Sequence, residues 1–157
     1  MEQQLFELLK RDHRQVEKWM TQIEEGSESE REEIFTSLQD ALEKHMAMEE
    51  KYFYPQLQKI SDLKDLAEDA GEEHEKVKNF LSRLEDEDVT EDNWISTFSE
   101  MRQRVLHHVQ EEEKKIFPGC TKSMSAQMLR EIGVKCIEEK ERTSSSRGSA
   151  GVKKPMR

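Results

Sequence analysis

The sequence predicts an all-α fold: an up-down-up-down four-helix bundle with a short extra C-terminal helix and a disordered tail. Three features predict it. Apolar residues recur every three or four positions through four long segments. The connections between those segments are short and polar, as antiparallel neighbours need. Glycine and proline, six and three in 157 residues, are too scarce to break the helices elsewhere.

The first segment, about 2–25, places Phe6, Leu9, His13, Val16, Met20 and Ile23 on one stripe, and Glu25-Gly26-Ser27 ends it. The second, about 29–59, carries Ile34, Leu38, Ala41, Leu42, His45, Glu49, Tyr52 and Gln56 down one face. Pro55 lacks the N–H for a helical bond and is expected to kink or tighten the last turn. Ser61-Asp62 reads as the cap of the third segment, about 62–86, which aligns Leu63, Leu66, Ala70, His74, Val77, Leu81 and Leu84. After the acidic connection Glu85–Asp88, Thr90 or Asp92 is expected to cap the fourth, about 91–117, with Trp94, Phe98, Met101, Val105, His108, Glu112 and Ile116 in line. Beyond Pro118, Ser125 is the candidate cap of a short helix through Met128, Leu129, Ile132 and Cys136, docked across one end of the bundle. Residues 1–142 thus read as one domain. Residues 143–157, rich in Ser and Gly with basic residues and no acid, read as the tail.

Composition excludes several classes of function. A net charge of −10 argues against binding nucleic acid or an anionic membrane non-specifically. No apolar run is long enough to span a bilayer, and Met1-Glu2-Gln3-Gln4 starts no signal peptide, so a cytoplasmic location is expected. Cys120 and Cys136 stand outside any C-x-x-C spacing and read as two reduced thiols. Leu, Ile, Val and Phe make up only about a fifth of the chain, near the border for disorder. A metal bound only by the folded form would add the stability that apolar burial leaves short.

The chemistry lies in an internal repeat. From His45, Glu49 follows at i+4, Glu50 at i+5, Tyr54 at i+9 and Pro55 at i+10. From His108, Glu112, Glu113, Phe117 and Pro118 follow at the same intervals. On a helix, i and i+4 share a face, so each copy aims an imidazole and a carboxylate at one point. Each predicted helix also places one histidine on its buried stripe: His13, His45, His74 and His108. Six such polar groups left unpaired in one core would cost several kcal/mol each in charged form, whereas a shared metal site removes that cost.

The fifth histidine, His107, sits about 160° from His108 around its helix and points to solvent. Glu50, Glu111 and Glu113 lie off the stripe, as solvated charge or as partners of the ligands. Glu17 follows His13 by one turn and is a minor ligand candidate, because the apolar stripe lies on the other side of His13.

Four imidazoles and two carboxylates exceed the needs of one tetrahedral zinc, and no thiolate joins them. Nitrogen and oxygen donors from bundle helices suit a pair of first-row ions bridged by Glu49 and Glu112, with a solvent-derived bridge and an open position. Two iron ions are the first choice, with manganese or a mixed pair as the alternative. Open positions beside a redox metal bind small diatomic molecules.

His13 in Arg-Asp-His-Arg-Gln-Val-Glu, the two His-x-x-x-Glu-Glu…Pro repeats and the lone His74 between them resemble the hemerythrin family, and more closely its HHE cation-binding branch. The likeness covers roughly residues 2–140. It implies a non-haem di-iron centre with bridging glutamates that binds dioxygen, nitric oxide or peroxide. Oxygen-carrying members have a His pair one turn apart on the third helix, but here His74 has Lys78 at i+4 and Ala70 at i−4. The four-His, two-Glu set is similar instead to members implicated in sensing iron or oxygen and in repairing iron centres. The repair group usually carries an added cysteine-bearing N-terminal domain, whereas here the first helix starts at once.

Two functions therefore compete. One is a cytoplasmic module that binds or senses O₂, NO or iron itself. The other is a small oxidase, peroxidase or NO-handling enzyme, to which Tyr52, on the stripe of Glu49, Tyr54 or the two thiols would supply electrons. Of these, Tyr52 is expected nearest the metals. Iron storage fits less well, because ferritin-like sites use Glu-x-x-His pairs and more carboxylates.

Overall fold

The computed structural model describes the backbone of residues 3–153 and the side chains of residues 3–144. The described residues are helical and contain no strand. In order, α1 (Gln4–Glu25) is followed by α2 (Glu28–Met48), which passes through a π-helical turn, Glu49–Phe53, into α3 (Tyr54–Leu57). Next come α4 (Ser61–Asp86) and α5 (Asp92–Glu111); a second π-turn, Glu112–Ile116, leads into α6 (Phe117–Ser123), and α7 (Ala126–Lys153) closes the chain. Helices α1, α2, α4 and α5 form the bundle. Among the described residues, no helix is long and apolar enough to cross a membrane.

The turns between helices are closed by local contacts. Gly26 donates its N–H to Gln22 O, and a Cβ there would lie 2.5 Å from that same oxygen, so only glycine fits. Ser61 and Asp92 are the first residues of their helices rather than their caps, and neither helix start has a side-chain cap. The turn before α5 is instead held by Asp88, whose Oδ1 accepts the Thr90 N–H at 2.9 Å and its Oγ1–H at 2.8 Å. Trp94 ties α5 back to α4 by donating Nε1–H to Leu84 O at 3.0 Å, while its ring stacks on Phe98 and meets Phe35 edge-on.

Each π-turn ends two residues before a proline. An α-helical proline would push its ring against the carbonyl of residue i−4. Here the Tyr54 N–H bonds Glu49 O and the Phe117 N–H bonds Glu112 O, five residues back, and Pro55 and Pro118 fall in the first turn of α3 and α6, where no donor is missed. The kink or tightening expected at Pro55 takes the form of a widened turn instead, and it happens in both copies of the repeat.

The core has two apolar halves. Leu5, Leu9, Phe53, Leu57, Leu63 and Phe117 pack one end, with Leu129, Ile132 and Cys136 of α7 against them. Met20, Ile23, Leu38, Leu81, Trp94 and Phe98 pack the other. Between them lies a polar layer of His13, His45, Glu49, His74, His108 and Glu112.

Helix α7 extends well past the short stretch that its apolar residues predicted. Ser125 caps it, its Oγ accepting the Met128 N–H at 3.1 Å, and Met128 itself is exposed. Gly133 lets α7 approach α1, since a Cβ there would sit 3.2 Å from Leu5 N. From that end of the bundle α7 runs along α1 and α2 as far as Asp12 and Lys44, so it covers a flank rather than crossing one end. The tail expected from residue 143 falls, beyond Ser144, outside the residues whose side chains are described.

Candidate metal centre

All six residues singled out by the repeat and the histidine stripes meet in the polar layer, and each is at least nine-tenths buried. The four imidazoles turn Nε2 inward onto the two carboxylates. His13 Nε2 lies 3.1 Å from Glu112 Oε1, and His108 Nε2 lies 3.6 Å from Glu112 Oε2. His74 Nε2 lies 3.1 Å from Glu49 Oε1, and His45 Nε2 lies 3.4 Å from Glu49 Oε2. The i,i+4 spacing stacks each glutamate over its own histidine, and the bundle brings a histidine from another helix to its second oxygen.

Outward, every imidazole donates Nδ1–H to a carboxylate from a neighbouring helix. Asp12 of α1 holds His45 at 2.8 Å, and Glu50 of the first π-turn holds His74 at 2.7 Å. Glu73 of α4 holds His108 at 2.9 Å, and Glu113 of the second π-turn holds His13 at 2.6 Å. Each holding residue is the chain neighbour of one of the six, and together the four contacts pass once around the bundle. Such contacts fix the tautomer, leaving Nε2 as the free donor, and raise its basicity toward a metal.

The six fall into two overlapping sets whose donor atoms lie close enough to share an ion: His13, His45, Glu49 and Glu112, and His74, His108 and Glu49. The rings pair accordingly, with centroids 5.2 Å apart for His13 and His45 and 4.8 Å for His74 and His108. In the first set, His13 Nε2, His45 Nε2, Glu49 Oε2 and Glu112 Oε1 are buried without a directed hydrogen bond. Four orphaned donors converging on one point fit a metal ion, because burial without a partner is otherwise costly.

The second set is capped by Tyr54. Its hydroxyl donates to Glu112 Oε2 at 2.5 Å, and its oxygen lies 3.0 Å from Glu49 Oε1, 3.3 Å from His74 Nε2 and 3.4 Å from His108 Nε2. The phenol is therefore within reach of an ion held by that pair. In the other copy of the repeat the equivalent position is Phe117, whose ring lies parallel to His13 at 6.3 Å and stacks on Phe6 at 4.6 Å.

Mutual electrostatics hold the layer together. Burial disfavours a charged His45, yet Glu49 and Asp12 outweigh it and lift its pKa well above the ordinary value. Against the same burial, Glu49 and Glu50 bring His74 to about 9, and Glu112 and Glu113 raise His13. Glu49 is held well below the usual carboxylate range despite its burial, by His45 and His74. Tyr54 is pushed well above the usual phenol value by burial and by Glu112 and Glu49. Metal ions would take the place of these protons.

The other expectations fare unevenly. His107 faces solvent, with 65% of its side chain exposed, as its helical phase required. Glu17 pairs with Arg14 at 3.2 Å rather than approaching the layer. Glu50 and Glu113 hold ligand-set histidines, while Glu111 pairs with Lys115 at 3.0 Å. The expectation that Tyr52 is the tyrosine near the metals is overturned. Tyr52 turns outward and donates to Glu139 Oε1 at 3.1 Å, while the π-turn swings Tyr54 over Glu49. Asp12 and Glu73 were missed. The available signal was that each immediately precedes a stripe histidine, His13 and His74.

A family model for the hemerythrin HHE cation-binding domain matches residues 4–120, which include every residue of the polar layer. The chain belongs to that family. Among solved structures, this HHE domain is similar to a hemerythrin HHE cation-binding domain-containing protein from Mycobacterium kansasii, at 26% identity and a TM-score of 0.77. That likeness covers 94% of this chain and 90% of the other, so it takes in α7 as well as the bundle. No curated protein sequence matches. Family and buried His/Glu cluster together make this a metal-binding domain.

Proposed function

We propose that this HHE domain holds two iron ions, one between His13 and His45 and one between His74 and His108, bridged by Glu49 and Glu112, and that it binds or senses O₂ or NO there. Manganese or a mixed pair is the alternative filling, since imidazole and carboxylate donors serve both metals. The observation that carries the small-ligand reading is a cavity of about 20 Å³ against the four imidazoles. Val16, Leu42, Met46, Val77, Val105 and Val109 wall it, with Asp12 at its edge, and Glu49, Glu112 and Tyr54 do not line it. A space that admits a water-sized molecule is large enough for a diatomic one. Apolar walls favour a neutral ligand over an ionic one. Two unpaired buried cysteines support a cytoplasmic setting.

Tyr54 favours a second reading, a di-iron oxidase, peroxidase or NO-handling enzyme. Bound iron would supply electrons and an open coordination position. The phenol sits against both carboxylates and the His74–His108 pair, where it offers a donor atom, a proton or an electron. Anaerobic titration with ferrous iron, followed by admission of O₂, NO or peroxide while the absorption spectrum is recorded, tests both. About two irons per chain and stoichiometric ligand uptake support the binding module. Sustained consumption of peroxide or NO supports the enzyme. Uptake of no iron, or of one zinc alone, sinks both readings.

A further inference from the structure

Each carboxylate that holds a site histidine also contacts a basic side chain. Glu113 pairs with Arg14, Glu50 with Lys78 at 3.0 Å, and Glu73 with His107 at 3.5 Å. All three partners belong to bundle helices. The fourth carboxylate, Asp12, pairs with Lys140 of α7, beyond the residues that the family model matches.

Two more contacts of α7 converge on the same place. Lys44, the neighbour of His45, donates Nζ–H to Thr143 O at 3.0 Å. Tyr52, in the π-turn that begins with Glu49, donates to Glu139 Oε1 at 3.1 Å. The first half of α7 is anchored separately, by Leu129, Ile132 and Cys136 in the apolar end of the core. Among the described residues of α7, apolar burial thus holds the stretch from Leu129 to Ile137, and polar contacts to residues beside the polar layer hold Glu139, Lys140 and Thr143.

Taking the layer as a metal centre, as proposed above, we propose that Lys140 is a positioning residue which acts through Asp12 on His45 and so couples docking of residues 137–144 of α7 to metal occupancy. An ion bound by His45 fixes the imidazole, the imidazole fixes Asp12, and a fixed Asp12 gives Lys140 a stationary partner. Such linkage is reciprocal: if metal tightens α7, docked α7 tightens metal by the same factor. The domain thereby carries a readout of its own centre on the outer face of α1 and α2, where the chain continues beyond the bundle.

The test uses the full chain, metal-free and loaded anaerobically with ferrous iron, in four forms: unaltered, Lys140→Met, Lys140→Arg and Lys78→Met. Amide hydrogen exchange is read over residues 126–136 and 137–144, and iron affinity by competition with a chelator. In the unaltered chain, iron is expected to slow exchange about ten-fold in 137–144 and not in 126–136. Lys140→Met is expected to abolish that response and to weaken iron binding about three-fold, less than the roughly ten-fold or more that loss of a direct partner of a metal ligand costs. Lys140→Arg should restore both. Lys78→Met should weaken iron while leaving the α7 response intact. A Lys140→Met protein that loosens α7 equally with and without iron, at unchanged affinity, would show a merely structural lysine and overturn the proposal. An unaltered chain that takes up no iron would overturn the metal centre itself, and the proposal with it.

Discussion

The half of the centre at His13 and His45 and the half at His74 and His108 are built from the same kit. Each takes one histidine from a helix without a π-turn and one from a helix that ends in a π-turn. Each has a carboxylate before one histidine and a carboxylate after one glutamate as its outer holders. They differ at one position of the repeat. Tyr54 caps the second half with a hydroxyl, and Phe117 walls the first with a ring. In the first half the inward donors are left without directed partners, while Tyr54 contacts both His74 and His108 in the second. A repeat can thus supply a symmetric framework while one aromatic substitution makes its two halves chemically unlike.

The largest effect is expected where the halves share a residue. Glu112→Ala removes a carboxylate that faces His13 and His108 alike, and iron content should fall toward zero with a loss of several kcal/mol in stability as the facing imidazoles lose their partner. One ion retained per chain would show that Glu112 serves one half only. His13→Ala and His74→Ala should each leave about one ion, but in different halves. If the two variants gave the same residual spectrum, the inequality of the halves would be lost.

Acidity tests the layer as a whole. In protein stripped of metal, His74 titrates near 9 when folded against about 6.5 when unfolded. The stability it contributes is therefore complete below about pH 6.5 and lost as pH rises through about 9, on the order of a few kcal/mol. Thermal melts of chelated protein should fall over that window. Metal-loaded protein should instead lose stability on acidification, as the imidazoles take protons and release the ions. Parallel pH profiles for the two forms would remove metal from the account.

Tyr54→Phe makes the halves alike. It should cost about 1–3 kcal/mol in metal-free protein, because Glu112 Oε2 loses its 2.5 Å donor in a buried site. In iron-loaded protein it should shift the visible absorption of one ion and spare the other; an unchanged spectrum would place the phenol outside coordination. His107→Ala marks the lower end. Its contact with Glu73 is long and exposed, so melting should move by less than about 0.5 kcal/mol and iron content should not change.

Much of this was readable along the chain. Four stripes of apolar residues announced the bundle helices, and the same stripes carried His13, His45, His74 and His108 inward, because a helical face repeats on a period that sequence spacing shows directly. Tyr54 was hidden by that same logic. At 100° per residue it lies off the face of Glu49, and only a turn with five-residue hydrogen bonds brings it over the carboxylate. The repeat offered a hint, since Tyr54 aligns with Phe117, an aromatic buried in the core. The ring of holding carboxylates was legible as residue types and not as contacts, because His13 and Glu113 are 100 residues apart and His45 and Asp12 are 33 apart.

By itself, then, the sequence determined the helices, their buried faces and the six polar groups placed on them, all of which follow from near-neighbour spacing in one helix. Tertiary structure alone decided which histidines pair, which carboxylate holds each of them, which tyrosine reaches the layer and where α7 lies. Those outcomes depend on how helices rotate and slide against one another, and on a π-turn that shifts phase where Pro55 and Pro118 must be accommodated.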